Sequence, residues 1–303
     1  MSLAADDVII GINWGSSNFR AYLIAGDGGA LDEVSAPKGV IGLDRGGMAQ
    51  MVADIVVRWP GHAAIYASGM IGSNVGWVET PYVEAPAGAA DLSAATVKTR
   101  IGGAEVAIVP GVSCRRSDGA PDVLRGEEVE LIGLATLTGG DGLVALPGTH
   151  TKWVWLDGGR IGEFFTSMSG EIFDRLTAQG LLASIADGNA QDGEAFLQGV
   201  AAGRERRQSL GTLLFGARAR VMVGQLARTD AASYLRGLLI GSELGDAASL
   251  YPWLGVRSIP LVGNAALSEL YASALAAYGV ETEITDSRRA CLAGFRALHE
   301  ARR

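Results

Sequence analysis

The stretch VIIGINWGSSNFRAYLI, residues 8–24, decides the fold of this chain. Val8–Ile12 is an apolar run that predicts a strand, and Phe19–Ile24 predicts a second one. Between them, residues 13–18 predict a tight polar turn, in which glycine permits close approach while serine and asparagine offer donors. Such a strand–turn–strand unit can hold an anion with successive backbone N–H groups, but an ordinary β-hairpin explains this stretch equally well.

A second segment, GLVALPGTHTKWVWLDGGRI at residues 142–161, repeats this pattern. It contains an apolar strand, a Gly-Thr-His-Thr turn at residues 148–151 and another apolar strand. Both segments then run into an Asp-Gly-Gly turn, at residues 27–29 and 157–159. One such loop at the start of each half indicates an internal duplication, with a ligand cleft between the halves.

The composition excludes several classes of protein. The 303 residues suffice for two domains, and 48% hydrophobic with 19% charged residues indicates a packed globular core. The net charge of -8 argues against a nucleic-acid partner. No apolar run approaches the roughly 20 residues that cross a bilayer, so no membrane partner is expected. The widely separated Cys114 and Cys291 are interpreted as free thiols in a reducing cytoplasm.

Two further loops follow predicted strands. The strand at 63–67 ends in the glycine-rich segment 68–74, where open α/β sheets place ligands. The strand at 259–262 runs into Gly263 and Asn264 before a helix, which suits a nucleotide because the helix N-terminus faces the ligand. For the loop at 68–74, a strand-to-loop turn without a ligand is the alternative.

The segment Arg125-Gly126-Glu127-Glu128 predicts a helix start with acidic residues in its first turn. The helix dipole alone favours acids there, by about 0.3–1 kcal/mol each, so a purely structural role also explains them. Residues 110–121 predict a polar loop, either near the cleft or on the solvated surface. The Gly-Lys pair of the P-loop, the Gly-x-Ser-x-Gly elbow and the His-Glu-x-x-His motif are all missing from the sequence.

A family resemblance joins these segments. Residues 14–20 resemble the first phosphate loop of the actin, hexokinase and heat-shock-chaperone superfamily. GMIGSNVGW (69–77), RGEE (125–128), PGTHTKW (147–153) and LLIGSE (238–243) resemble the 2-dehydro-3-deoxygalactonokinase family of bacterial sugar-acid kinases. These segments cover nearly the whole chain in one order, which makes the resemblance specific.

The resemblance implies an α/β fold with two ribonuclease-H-like, actin-like ATPase lobes around an interdomain cleft. The expected lobes are residues 1–138 and 139–303, with the last helix near the lobe interface. It further implies a kinase that transfers the γ-phosphoryl group of ATP, with magnesium, to 2-dehydro-3-deoxy-D-galactonate, giving the 6-phosphate in galactonate catabolism. A phosphoanhydride hydrolase of the same fold and a non-catalytic binding homologue are the alternatives. The stereoisomer of the sugar acid and a homodimer stay open.

The candidate site residues follow from the resemblance together with the chemistry that the reaction needs. The expected base is Glu127, with Glu128 as the second candidate, and Arg125 is the expected clamp for the substrate carboxylate. The other candidates are Gly72, Ser73 and Asn74 for the sugar acid; Gly15, Ser16, Ser17 and Asn18 (the first loop) with Gly148, Thr149, His150 and Lys152 for the phosphates; and Gly263 and Asn264 for adenosine.

Asn13 departs from the family pattern, which usually has an aspartate at this place. An aspartate would help to hold hydrated magnesium, whereas asparagine keeps the shape and an acceptor oxygen but loses the charge. We therefore expect either a metal held through phosphates and water or a slow or inactive enzyme. In the second half, Lys152 adds charge near the phosphates unless strand alternation points it at solvent.

Overall fold

The computed structural model describes residues 7–205, 207–251 and 258–302. Its helices and strands, in chain order, are β1 (Ile9–Trp14), β2 (Phe19–Ile24), β3 (Ala30–Ala36), α1 (Arg45–Arg58), β4 (Ala64–Gly69), β5 (Tyr82–Glu84), α2 (Ala89–Ala94), β6 (Val97–Ile101), β7 (Ala104–Ile108), β8 (Gly111–Arg115), β9 (Pro121–Leu124), α3 (Glu127–Thr138), β10 (Gly142–Leu146), β11 (Thr151–Asp157), β12 (Arg160–Ser167), α4 (Ser169–Ala178), α5 (Glu194–Glu205), α6 (Leu210–Met222), α7 (Arg228–Leu250), β13 (Ile259–Gly263), α8 (Ala265–Ala276), β14 (Thr282–Asp286) and α9 (Ser287–Glu300).

Internal contacts divide the chain into two units. The first unit comprises the described residues of 1–142, 154–164 and 286–303, and the second comprises those of 143–153 and 165–285. The closing helix α9 therefore groups with the first unit, where it packs on α3 and β1. The lobe boundary at 138/139 stays a prediction.

The first unit contains a six-stranded sheet in the order β3-β2-β1-β4-β7-β6. β1 lies at its centre, antiparallel to β2 and parallel to β4. A strand covered on both faces reads as a continuous apolar run, and all of β1 except Asn13 is buried. On one face, Gly11 admits the ring of Phe295 from α9, because a Cβ there would lie 2.4 Å from Cδ2 of that ring.

The start of the chain differs from expectation in one detail. The strand β1 extends to Trp14, so Asn13 and Trp14 are strand residues and the turn is confined to 15–18. Trp14 and Phe19, which are 0% and 1% exposed, pack edge to face with ring centroids 4.8 Å apart. This apolar pair holds the two strands together to their very ends, which shortens the turn.

A small third sheet was missed by the sequence reading. The segment 110–121, expected to be a polar loop, contains β8, which pairs with β5 on one side and β9 on the other. Val112 of β8 is fully buried, and polar neighbours on the same strand obscured its apolar alternation. β9 of this sheet leads directly into Arg125, the expected clamp for the substrate carboxylate.

The second sheet has the order β12-β11-β10-β13-β14, with β10 and β13 parallel. Among the helices of the second unit, α5 and α7 approach each other through glycines spaced four residues apart on each helix. A Cβ at Gly199 or Gly203 would lie 2.1 Å from a carbonyl oxygen of α7, and one at Gly237 or Gly241 would lie 2.0 Å from a carbonyl oxygen of α5. This contact sets the position of α7, which carries Glu243.

Candidate functional site

The first loop is a short polar turn on an apolar base. Gly15 donates its N–H to the carbonyl of Asn18 over 2.9 Å, which closes the turn. The carbonyls of Gly15 and Ser16 accept N–H groups from Val40 and the residue after it, at 3.0 and 3.2 Å. Asn18 and its neighbour at 17 are exposed. The candidate phosphate residues 15–18 are thus preorganised, with their tip open to a ligand.

The predicted sugar segment lies at the same sheet edge as the first loop. β4 ends at Gly69, whose register partner on the parallel strand β1 is Trp14. Beyond it, Gly72 is buried against Thr80, since a Cβ on Gly72 would lie 2.8 Å from Thr80 Oγ1. Ser73 donates its hydroxyl to a backbone carbonyl at 2.7 Å. The next candidate, at position 74, is exposed.

Arg125 is held against this segment by its guanidinium group. Both terminal nitrogens donate to Thr80: Nη1 to the hydroxyl, and Nη2 to the carbonyl at 2.9 Å. The guanidinium carbon lies 4.4 Å from the ring centroid of Tyr82 on β5. Each terminal nitrogen carries a second N–H, so the fork keeps donors for an anion while its position is fixed. The structure brings Arg125 and Gly72 together around Thr80.

The two candidate acids occupy different environments at the start of α3. Glu127 is half-buried and accepts the backbone N–H of Arg125 at 3.1 Å. Glu128 is 0% exposed and accepts the N–H of Gly126 at 2.5 Å. Burial raises the pKa of Glu128 to about 8, so its carboxyl group is largely protonated at neutral pH. Glu127 is therefore the better placed of the two to reach a substrate.

Gly126 is the residue that allows this arrangement. Its φ of 110° lies in the region that favours glycine, and a Cβ there would lie 3.2 Å from Cα of Gly69. The start of α3 therefore sits directly against the end of β4, at the same edge as the first loop.

The buried carboxyl of Glu128 is expected to make stability fall as pH rises. Its pKa is raised from 4.5 to about 8, so the folded protein keeps a proton that the unfolded chain releases. This contribution is full below pH 4.5, decreases up to about pH 8 and is lost above it. In Glu128→Gln the side-chain oxygen can still accept the N–H of Gly126, but the side chain no longer titrates. This variant should therefore lose the part of the decrease in the free energy of unfolding that Glu128 causes, about a few kcal/mol.

Urea unfolding at about pH 5 and about pH 9 gives the decrease in the free energy of unfolding for the wild type and for Glu128→Gln. The difference between the two decreases isolates Glu128, because the contributions of all other titratable groups cancel. Equal decreases in the two proteins would contradict the assignment.

Asn13 belongs to a partly buried polar chain in the first unit, in which only Cys291 is fully buried. Its Nδ2 donates to Sγ of Cys291 at 3.5 Å, and that thiol donates to Glu130 Oε1 at 3.5 Å. Ser287 also donates to Glu130 Oε1, at 2.5 Å. Burial raises the pKa of Glu130 to about 7. An asparagine suits this place because it donates to the thiol, which a carboxylate could not do.

The second loop, residues 148–151, lies between β10 and β11. Thr149 accepts the N–H of Glu171 at 2.9 Å, and His150 Nε2 lies 2.6 Å from Glu171 Oε2. The hydrogen bond with His150 lowers the pKa of this glutamate. Gly148 adjoins α4 closely, since a Cβ at Gly170 would lie 2.3 Å from its carbonyl oxygen. The start of α4 thus buttresses the loop, and the sequence reading did not single out Glu171.

Lys152 points inward. It is 5% exposed, and its Nζ donates to the carbonyl of His150 at 3.0 Å. The alternative that strand alternation turns it toward solvent is wrong. The charged Nζ group of Lys152 supports the loop backbone through this hydrogen bond.

The predicted adenosine segment adjoins a cavity of about 590 Å³ in the second unit. Asn264 caps α8 by accepting the N–H of Ala266 at 3.0 Å. A Cβ on Gly263 would lie 3.1 Å from the carbonyl oxygen of Pro147, so this turn adjoins the start of the second loop. The cavity is lined by Asn264, Ala266, Leu267, Leu270, Phe173 and Arg236, among others.

One wall of this cavity was not anticipated. The guanidinium carbon of Arg236 lies 3.7 Å from the ring centroid of Phe173, and its Nη2 lies 3.4 Å from an oxygen of Asp174. Burial lowers the pKa of Arg236. No sequence signal pairs a residue on α7 with one on α4, so only the structure reveals this stacked wall.

The described residues contain neither a metal-binding cluster nor a membrane-spanning helix. Within residues 7–205, 207–251 and 258–302, no group of three or more His, Cys, Asp or Glu side chains is arranged to hold a metal ion. In the same part of the chain, none of the helices has both the length and the apolar character that a membrane crossing requires. Both cysteines are free, as expected, and the structure buries both.

Glycine loops at the ends of paired strands, in two α/β units, are features of the actin-like ATPase fold that sugar kinases share. A model of the 2-keto-3-deoxy-galactonokinase family matches residues 13–298. The chain belongs to this family. Members of this family are nucleotide-dependent kinases, a class of protein that agrees with the fold described above.

Individual relatives agree with this membership. A protein of Rhizobium meliloti (strain 1021), named as a probable 2-dehydro-3-deoxygalactonokinase, is 34% identical over 296 residues, which is 96% of each chain. The 2-dehydro-3-deoxygalactonokinase of Escherichia coli (strain K12) is 33% identical over 294 residues, covering 96% of this chain and 97% of that protein.

Solved structures are similar over the same length. A crystal structure from Sinorhizobium meliloti, described as a candidate 2-dehydro-3-deoxygalactonokinase, has a TM-score of 0.87 at 34% identity and covers 97% of both chains. The activator of 2-hydroxyisocaproyl-CoA dehydratase from Clostridium difficile has a TM-score of 0.51 at 11% identity, covering 97% of this chain and 95% of that one. The second likeness concerns the fold alone.

Proposed function

We propose that this protein transfers the γ-phosphoryl group of ATP to the 6-hydroxyl of 2-dehydro-3-deoxy-D-galactonate. The family match over residues 13–298 carries the proposal, because it spans both glycine loops, the Arg-Gly-Glu-Glu segment and the adenosine turn. Both curated relatives bear the name of this activity. The reaction belongs to galactonate catabolism.

In the proposed reaction, the hydroxyl oxygen attacks the γ-phosphorus and forms a new P–O bond. The bond from the γ-phosphorus to the β,γ-bridging oxygen breaks, and ADP leaves. Glu127 accepts the hydroxyl proton as the attack proceeds. Its half-buried position at the start of α3, next to the sheet edge that holds Gly72, supports this role.

We assign the substrate carboxylate to Arg125, with Gly72, Ser73 and Asn74 beside the sugar. The hydrogen bonds to Thr80 and the contact with the ring of Tyr82 fix the guanidinium group. They support the assignment, because a guanidinium that is already positioned loses little conformational freedom when it binds an anion.

Arg125→Ala is expected to raise KM for the sugar acid by about 10- to 100-fold, because a charge-assisted contact is lost. Steady-state kinetics at saturating ATP measures this. Arg115→Ala, an exposed arginine on β8, is the matched control. An unchanged KM for the sugar acid in Arg125→Ala would contradict the role of Arg125 in binding the substrate carboxylate.

The nucleotide is assigned to the two loops and the cavity beside Asn264. Gly15–Asn18 of the first loop and Gly148–His150 of the second bind phosphate oxygens in this proposal, and Lys152 supports them with its charge. The cavity of about 590 Å³ offers an apolar floor on α8 and the stacked wall of Arg236 for the adenosine group.

Magnesium is assigned to the phosphates rather than to a protein cage. Asn13 commits its amide nitrogen to Cys291, which leaves one neutral oxygen, so the first loop lacks the carboxylate that would hold the ion directly. Magnesium ordinarily keeps several waters and binds substrate phosphates together with one or two carboxylates. In this proposal phosphate oxygens and water supply its ligands, and the first loop supplies no carboxylate. The ion neutralises phosphate charge when bound.

A coupled ADP-release assay over a panel of 2-keto-3-deoxy sugar acids tests the proposal. We expect turnover that depends on the sugar acid, with the galactonate-derived epimer preferred over the gluconate-derived one. ADP release at the same rate without any sugar acid would instead indicate the hydrolase of this fold. Binding of ADP without turnover on any acid would indicate a non-catalytic homologue.

We also propose a cytoplasmic location, supported by the two buried free thiols, which suit a reducing compartment. A homodimer stays a prediction that analytical ultracentrifugation would check.

A further inference from the structure

Glu243 is a fully buried carboxylate at the centre of a polar cluster in the second unit. It lies on α7, is 1% exposed, and accepts hydrogen bonds from several side chains, among them Trp153, Ser169 and Tyr271. Trp153 Nε1 donates to Oε1 and Ser169 Oγ donates to Oε2, both at 2.5 Å. The hydroxyl of Tyr271 donates to the same carboxylate at 3.0 to 3.1 Å. Burial raises the pKa of Glu243, and these hydrogen bonds oppose that shift.

The cluster continues from Tyr271 into the second loop. The hydroxyls of Tyr271 and Thr151 lie 2.8 Å apart, and Thr151 Oγ1 lies 3.3 Å from the backbone N–H of Gly148. Tyr271 donates its proton to Glu243, so its oxygen accepts the shorter of the two contacts that the Thr151 hydroxyl makes as a donor; the other, to the carbonyl of Gly148, is 3.4 Å long. The hydrogen bonds therefore connect the backbone of Gly148 with the carboxylate through Thr151 and Tyr271.

The same carboxylate holds the other flank of the loop. Ser169 begins α4, and the next residues of that helix press on the loop: Gly170 adjoins the carbonyl of Gly148, and Glu171 donates its N–H to Thr149. Glu243 thus ties down β11 through Trp153 and α4 through Ser169. The loop at 148–151 lies between these two attachments.

We propose that Glu243 is a positioning residue for the second loop, acting on its phosphate-binding backbone through Tyr271 and Thr151. The inference rests on the proposed function in one respect, namely that this loop binds phosphate. It gives a role to the segment Leu238–Glu243, which resembles the family but has no candidate site residue. A buried carboxylate costs more than an apolar side chain of similar size, so a purely structural contact would not need one.

Two conservative substitutions test the chain of hydrogen bonds. Tyr271→Phe keeps the ring and removes the hydroxyl, and Thr151→Val keeps the shape and removes the hydroxyl. Each should weaken ADP binding about tenfold, because a buried polar partner loses its hydrogen bond and the loop loosens. Binding of adenosine, which has no phosphate, should stay within about twofold of wild type. Calorimetric titration with ADP and with adenosine measures both.

Matched variants separate positioning from general damage. Thr151→Ser restores the hydroxyl and should recover ADP affinity, whereas Thr151→Val should not. Tyr278→Phe removes a hydroxyl beyond the end of α8, outside the cluster, and should bind ADP as the wild type does. Glu243→Gln replaces an acceptor by a donor and should resemble Tyr271→Phe if it folds.

Three results would overturn the inference: unchanged ADP affinity in Tyr271→Phe and Thr151→Val, equal losses of ADP and adenosine affinity, or failure of Thr151→Ser to recover. All three results are measured as affinities for ADP and for adenosine. A wild-type protein that binds ADP but phosphorylates no sugar acid would contradict the proposed function and leave this inference standing.

Discussion

Glu127→Gln is expected to lower kcat by about 10²- to 10⁴-fold, the usual contribution of a general base. Glutamine keeps the shape of the side chain and its bond to the N–H of Arg125, but it cannot accept the hydroxyl proton of the substrate. KM values for ATP and for the sugar acid should change little, since the binding groups lie elsewhere. Steady-state kinetics with both substrates varied measures the three constants.

Glu194→Gln is the matched control for Glu127→Gln, because it makes the same change in the first turn of another helix, α5. Glu128→Gln decides between the two candidate acids. Loss of turnover in Glu128→Gln with retention in Glu127→Gln would assign the base to Glu128 and contradict our choice. Near-normal turnover in both variants would place the base on another residue.

Gly237→Ala is expected to lower the free energy of unfolding by about 3 kcal/mol or more, at the upper end of overpacking costs. The added Cβ would lie 2.0 Å from the carbonyl oxygen of Phe196 on α5, a distance that only a shift of a helix backbone can relieve. Because α7 also carries Glu243, displacement of this helix should weaken ADP binding as well. Urea unfolding of the wild type and the variant measures the change.

Gly216→Ala on α6 controls for the intrinsic effect of alanine in a helix. A Cβ at Gly216 meets no atom within 4 Å, so the substitution should stabilise the protein by up to about 1 kcal/mol. If Gly237→Ala were as stable as Gly216→Ala, the close approach of α5 and α7 would not exist as described.

Much of the fold could be read from the chain alone because strand and loop signals are local. The run at 8–24 and its counterpart at 142–161 contain alternating blocks of apolar and small polar residues, and both form the predicted strand pairs. The strand expected at 63–67 forms at Ala64–Gly69, and the strand expected at 259–262 extends through Gly263. The small sheet of β5, β8 and β9 escaped because its strands are only three to five residues long.

The site was less predictable than the fold, for a physical reason. Burial and partner identity depend on segments that are far apart in sequence. Trp153 meets Glu243 across 90 positions, and Thr151 meets Tyr271 across 120. The adjacent Glu127 and Glu128 are chemically equal in the sequence, yet only Glu128 is fully buried.

The sequence by itself determined the family, the two glycine loops and the strands that flank them, because short motifs and apolar periodicity encode them locally. Tertiary structure alone decided which acid is shielded from water, that Lys152 points inward, and that Glu243 accepts hydrogen bonds from Trp153, Ser169 and Tyr271. Those outcomes follow from packing: the pKa and the hydrogen-bond partners of a side chain are set by what covers it, and the covering segments come from elsewhere in the chain.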